Sequence, residues 1–409
     1  MFGTREEIES ELTHKHNLLR SFRKNLQITE TQISKFAPAE VRLGLYRQRD
    51  DIESQITETL RGIELLEKEL GGATHKQVQI VVHHLLPSLP PGMIHLYNKE
   101  NDPLLKYDMS NYGDKSLSVI VSSQIEDFSF RCNDTIRLAP GENATVLQLP
   151  VIKPEAIKNL YEVRQVVLHT RASCLCGDKE SLLFMQDYNI QMLARDVIIW
   201  AIVLEPHFVR DLSYQIAAWV TPNARPVVEL VGQATEYAQS RSFVGYVNSG
   251  SYKHRAEIVR GQVKAIFHVL KERTKITYVD SRISFGCRSQ GVQQRVNLPG
   301  DSITYHHANC IDGTVLYASL FERISLNPVI VLVPGHAFVG WEAVEGTRKY
   351  EFLETTMTNN YTFEDAYNSG MDQFGKAQSL IGNSLFDPNG FIVLHNIRDL
   401  RGKGIIPME

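Results

Sequence analysis

Cysteine is scarce in this chain: five in 409 residues, an odd number without framework spacing. A disulfide-stapled secreted module is therefore excluded. Free thiols fit a reducing compartment, so a cytoplasmic location is expected. Cys174 and Cys176 stand one residue apart, but no second pair lies at ligand spacing, so no metal site is expected. No uninterrupted apolar run reaches the ~18 residues that argue for a membrane helix. Residues 1–7 are acidic and helix-like and hold no apolar leader, so export by a signal segment is not expected either. Basic residues are not in excess. The formal net charge is −4, so no global field argues for nucleic acid as a partner. No period of about 20–50 residues recurs, which argues against solenoids and propellers.

What is present divides the chain in three. The first segment, 1–73, is rich in Glu, Lys, Arg and Gln and poor in Gly and Pro. Ile8, Leu12, Leu19, Phe22, Leu26, Ile33 and Phe36 fall on a three-four spacing, interrupted by Lys15 and Thr29. Ala37-Pro38 breaks the stripe, and Pro38 suits the first turn of a second helix. Val41, Leu45, Ile52, Ile56, Ile63, Leu66 and Leu70 continue it up to Gly71-Gly72, a helix stop. The pattern predicts an antiparallel helical hairpin. Such a hairpin buries only a narrow seam. It reads either as a packing or self-association coiled coil or as a docking module for a partner protein.

The second segment, 76–198, alternates with period two: Gln77-Val78-Gln79-Ile80-Val81-Val82, Ser116-Leu117-Ser118-Val119-Ile120-Val121 and Thr145-Val146-Leu147-Gln148-Leu149. Turn signals such as Pro90-Pro91-Gly92 and Pro140-Gly141 separate these runs. Short strands at this spacing predict a β-sandwich of immunoglobulin-like architecture. No polar cluster there is equipped for chemistry, so a spacer or recognition module is expected.

The third segment, 199–409, mixes helix and strand patterns. Residues 201–204 and 214–219 read as short strands or strand–loop pieces, 225–239 and 252–274 as helices, and 276–279 as a strand. Residues 300–308 read as a polar loop. The overall expectation is a multidomain α+β chain with boundaries at 1–73, 76–198 and 199–409.

Chemistry concentrates near the end of this segment. Cys310 precedes an apolar, helix-compatible run, so it falls at or near a helix N-terminus, where the macrodipole favours an anion. His336 comes 26 residues later, after a tight Pro334-Gly335 turn, and opens an apolar strand. Glu354 follows after 18 more, room for a hairpin. A thiol, an imidazole to take its proton and a carboxylate to orient the imidazole form a nucleophilic set. Glu351 lies on the opposite face of the same strand and ranks below Glu354. Asp312 reads as a first-turn cap rather than a base. His306 and His307 share the loop of the thiol and are weak substitutes for His336. An oxyanion needs donors. The Cys310 N–H is one, and a side-chain amide from Gln294, ahead of Gln293, is a second candidate.

Asn309-Cys310-Ile311-Asp312-Gly313, Gly335-His336-Ala337-Phe338-Val339-Gly340-Trp341 and Phe352-Leu353-Glu354-Thr355-Thr356 together resemble the transglutaminase-like cysteine peptidase superfamily, whose core is papain-like. The resemblance covers 244–386. It implies a cysteine at a helix start, packed on a small antiparallel sheet that carries the histidine and an acidic residue. The acid of that family is commonly Asp. Glu354 keeps the charge and lengthens the reach. The hairpin more loosely resembles coiled-coil, effector-associated modules of bacterial conflict and signalling proteins. The expected activity is a bacterial cysteine peptidase acting on a protein substrate through a thioester, without a cofactor, in defence or signalling. A protein-glutamine transferase or deamidase with the same residues, and a non-catalytic scaffold, are the alternatives.

Overall fold

The structure is a computed structural model. It describes residues 5–33, 43–69, 78–86, 88–176, 179–205, 208–279, 291–378, 381–382 and 392–408. The chain is α+β. It forms two compact units that are discontinuous in sequence: Met1–Pro87, Asn98–Lys153 and Gln165–Ile190 in the first, and Ser88–Tyr97, Pro154–Arg164 and Gln191–Glu409 in the second. The division at Ile190 falls a few residues before the expected boundary at 198. The hairpin segment and most of the strand-rich segment share one unit, and 88–97 and 154–164 join the other. Among the described residues, no helix is long and apolar enough to cross a membrane.

In the first unit, helices Arg5–Ile33 and Leu43–Glu69 bury Leu19, Leu26, Ile52, Ile56, Leu60 and Ile63 against one another. All but Leu60 are stripe positions. Lys15 breaks the stripe without breaking the pairing, because its chain passes over Gly62, which has no side chain to obstruct it. The Pro38 and Gly71-Gly72 signals lie outside the described residues. The strands form two sheets. Val78–His84, Leu105–Asn111 and Asn143–Gln148 make an antiparallel three-stranded one. Leu117–Ile125 pairs antiparallel with Cys132–Leu138 on one side and Arg164–Cys176 on the other, followed by Lys179–Met192. In Leu105–Asn111 and Leu117–Ile125 every second residue is buried, as the alternation requires. Polar bonds join the sheets. Tyr107 donates to the Ser122 carbonyl at 3.1 Å, and Gln148 accepts from Ser123 at 2.7 Å and donates to Asp134 at 2.8 Å.

The second unit holds the third-segment chemistry. Its main sheet has four antiparallel strands in the order Tyr350–Leu353, His336–Glu342, Pro328–Val333, Val393–Asn396. Both faces are covered, so Pro328–Val333 reads as a continuous apolar run rather than an alternation. Ile330, Leu332, Ala337, Val339 and Trp341 share a core with the helix Cys310–Arg323. Val329, Val331, Phe338 and Phe352 pack on the opposite face, with Met371 and Phe374 of the helix Phe363–Ala377.

Two local expectations fail. Residues 214–219 form a 3-10 helix, Ser213–Trp219, rather than a strand. Asp211 accepts the Ser213 N–H at 2.7 Å and starts the turn. The 300–308 stretch is not all loop. Pro299–Tyr305 is helical, with Pro299 at its first turn and Asp301 near its N-terminus.

Gly370 decides how closely Phe363–Ala377 approaches the sheet. A Cβ there would lie 2.6 Å from the Leu353 nitrogen and 2.7 Å from the Phe352 carbonyl carbon. Those are backbone atoms and cannot rotate away. Gly→Ala within a helix gains about 1 kcal/mol of propensity. Overpacking against fixed atoms costs about 1–3 kcal/mol. The clash wins, so Gly370→Ala is expected to lower the urea midpoint. Gly375→Ala, on the same helix with nothing within 4 Å, is expected to raise it. Equal effects would disprove the close approach.

Candidate active site

Cys310 is the first residue of its helix, and the residue before it makes the start. Asn309 Oδ1 accepts the Asp312 N–H at 2.9 Å, and Asp312 Oδ2 accepts the Asn309 N–H at 3.1 Å, a complete capping box. Asp312 also accepts from Asn297 N at 2.8 Å and Nδ2 at 3.1 Å. Burial pushes its carboxyl up to about 6, although the Asn309 and Asn297 N–H bonds oppose the rise. With all these bonds turned to structure, Asp312 is a cap. Ile311 to Phe321 are buried, so the helix is anchored along its length while Cys310 itself stays partly exposed. Its N-terminus points positive partial charge at the sulfur's end.

His336 is placed by the turn before it. Val333 pairs with His336, so Pro334-Gly335 is a two-residue hairpin loop. Gly335 takes φ of +75°, the second-position conformation of a type II turn, and proline suits the first position. His336 Nε2 lies 2.7 Å from Glu354 Oε2. The Cys310 side chain is the ring's other electrostatic neighbour. With Nε2 facing the carboxylate, Nδ1 is the nitrogen left for sulfur. The ring is pushed up to about 10, first by Cys310 and then by the bond to Glu354. Burial opposes the rise.

Glu354 follows the strand Tyr350–Leu353 and caps the 3-10 turn Thr355–Met357. Its carboxylate is 3% exposed and fully partnered. Oε1 accepts from Thr356 N at 3.0 Å and Thr356 Oγ1 at 2.6 Å. Oε2 accepts from His336 and from Gln373 Nε2 at 2.7 Å. Burial pushes the carboxyl up, but the His336 and Thr356 bonds outweigh it and the net direction is down. The group is thus a buried anion beside a raised imidazole, the electrostatics of an ion pair.

Three of the sequence candidates therefore come together: His336 and Glu354 are hydrogen-bonded, and Cys310 is the group that acts most strongly on the same ring. Gln294 sits on the strand Gly291–Arg295, its Oε1 accepting from Trp200 Nε1 at 3.0 Å, and it is not part of that set. Glu351 is bound to Arg260, whose Nε donates to Oε2 at 3.0 Å. His306 turns its Nδ1 to the Thr274 carbonyl at 2.8 Å. Thr356 and Gln373 complete the carboxylate shell and were not anticipated. Thr356 had a local signal, a hydroxyl two residues after the acid. Gln373 had none. A cavity of about 30 Å³, room for a water, lies by the same helix turn between Asn309, Gly313, Tyr317, Thr355 and Thr356. Among the described residues, no group of three His, Cys, Asp or Glu is placed to hold a metal ion.

No family model and no curated protein matches the chain. Among solved structures, red sea bream transglutaminase aligns with a TM-score of 0.18 at 9% identity, over 34% of this chain and 20% of that one. The exo-chitosanase CsxA of Amycolatopsis orientalis aligns with a TM-score of 0.19 at 12% identity, over 48% of this chain and 27% of that one. Overlaps this slight carry no argument about chemistry. The side-chain geometry carries it instead.

Proposed function

We propose that the second unit is a transglutaminase-like cysteine peptidase. The observation that supports this reading is one imidazole hydrogen-bonded to a buried carboxylate and raised most strongly by the thiol at the helix start. Cys310 attacks a peptide or isopeptide carbonyl, and the carbon–sulfur bond forms as the π electrons move to oxygen. The Cys310 N–H at the helix start is a donor for that oxyanion, with Gln294 a second candidate. The tetrahedral centre collapses, the carbon–nitrogen bond breaks, and the proton held on His336 passes to the leaving amine. Water, deprotonated by His336, then hydrolyses the thioester and restores the thiol. Glu354 holds the ring and its charge throughout. In this reading the two facing sheets of the first unit are an immunoglobulin-like module, and the helical pair recruits a partner or a second copy. A cytoplasmic role in bacterial defence or signalling follows from the resemblance of the hairpin.

The test needs no known substrate. At pH 7, iodoacetamide is expected to label Cys310 at least about tenfold faster than Cys132. Cys132 is a suitable internal control, because burial and then Asp134 push its thiol up. Equal rates favour a scaffold. Products separate the two enzymatic readings by mass: new termini mark a peptidase, and a converted glutamine marks a deamidase or transferase.

A further inference from the structure

We propose that Gln373 is a positioning residue: its side-chain amide sets the orientation of Glu354, so that Oε2 faces His336 Nε2. The proposal rests on the catalytic reading of Cys310, His336 and Glu354 and adds a residue from a different element.

Glu354 is gripped twice by the helix Phe363–Ala377. Its backbone N–H donates to the Ala366 carbonyl at 3.0 Å. Its Oε2 accepts from Gln373 Nε2 at 2.7 Å. Ala366 and Gln373 are two turns apart and share a helix face with Gly370, whose missing Cβ lets that face touch the strand. Main chain and side chain of one acid are thus registered by one rigid element.

The amide's orientation is fixed as well. Nε2 also donates to Ser369 Oγ at 3.2 Å, so both of its hydrogens are used. A carboxylate accepts only, so the NH2 end must face it. Neutrality matters as much as donation. Gln373 satisfies a buried oxygen without cancelling the charge of Glu354, and that charge holds the proton on His336. A cation in its place would keep the bond and cancel the field. Among the described residues, the charged groups acting on the ring are Cys310 from the nucleophile helix and Glu354 from the turn. The Gln373 amide adds no charge to this set. With Gln373 removed, Oε2 keeps a single donor, and the carboxylate is free to rotate toward Thr356.

The experiment reads His336 in the full chain by NMR of isotope-labelled histidine, the resonance being assigned by its loss in His336→Gln. Three proteins are compared: native, Gln373→Met and Gln373→Lys. Methionine keeps the length and helix propensity and loses the donor. The His336 midpoint is expected to fall by about one pH unit in Gln373→Met and further in Gln373→Lys, where a like charge is added. Unchanged midpoints in either variant, with a native urea midpoint, overturn the proposal. If one variant does not fold, the other supplies the reading. Cys310 alkylation in the same samples is separate. An inert native Cys310 removes the peptidase reading, whereas a His336 midpoint unmoved by Gln373 substitution removes only the positioning role.

Discussion

Cys310→Ala is expected to reduce proteolysis by about 10³-fold or more while leaving the fold nearly as stable as before. The nucleophile cannot be replaced by water held at the same place, so turnover falls by about 10³-fold or more, to whatever oxyanion donation and binding supply on their own. Stability should change by no more than about 1 kcal/mol. The helix start depends on Asn309 and Asp312, not on the sulfur. Alanine is the best helix former, and the deleted atom is partly exposed. One change does propagate. Cys310 is the largest cause holding His336 high, so its titration moves down in the variant. The assay compares new protein termini in a lysate incubated with the native chain or with Cys310→Ala, beside urea midpoints for both. Cleavage that persists in the variant would falsify the assignment of Cys310 as nucleophile.

The parts of this fold that were legible in the sequence are those with local causes. The hairpin seam follows from spacing, since Leu19, Leu26, Ile52, Ile56 and Ile63 repeat at the helical period and are buried together. Cys310 and His336 are legible because each opens a regular element, and the cap and the turn that place them are neighbours in sequence. The α+β class follows from the same periodicities. The misreadings have equally local reasons. Residues 214–219 carry apolar and aromatic side chains that suit a strand, and one aspartate two residues upstream of Ser213 turns the chain into a helix instead. Polar composition hid the helix at Pro299–Tyr305 behind its own start signals. What could not be read is long-range. The compact units are discontinuous in sequence, because 88–97 and 154–164 belong with the second unit rather than with their chain neighbours. No periodicity reports that. Gln373 reaches Glu354 only because Gly370 lets two elements touch, and a lone glycine in a helical run does not announce its neighbour.

Glu354→Gln separates the electrostatic role of the acid from its shape. The amide is nearly isosteric, but the site around it is built of donors. Thr356 N, Thr356 Oγ1, His336 Nε2 and Gln373 Nε2 all point at the carboxylate. A glutamine offers one acceptor oxygen, so its NH2 must face another donor, a buried mismatch worth about 1–3 kcal/mol. Losing the charge also weakens the hold on the imidazolium. Catalysis is expected to fall by about 10²–10⁴-fold. The alkaline limb of activity, set near 10 in the native chain by the raised His336, is expected to move down toward 6.5, stopping short because Cys310 still raises the ring. Stability carries a second signature. A raised His336 contributes fully below 6.5 and loses its contribution as pH climbs through about 10. A lowered Glu354 contributes fully above 4.5 and loses its contribution as pH falls below that. The native pair is therefore at full strength between those two values. Asp312 titrates in both proteins and cancels in the difference. The gap in unfolding free energy between native chain and variant should be widest between 4.5 and 6.5 and close toward both extremes. A gap that stays level from acid to alkaline pH, with an unmoved activity limb, would mean that Glu354 only fills space beside the ring.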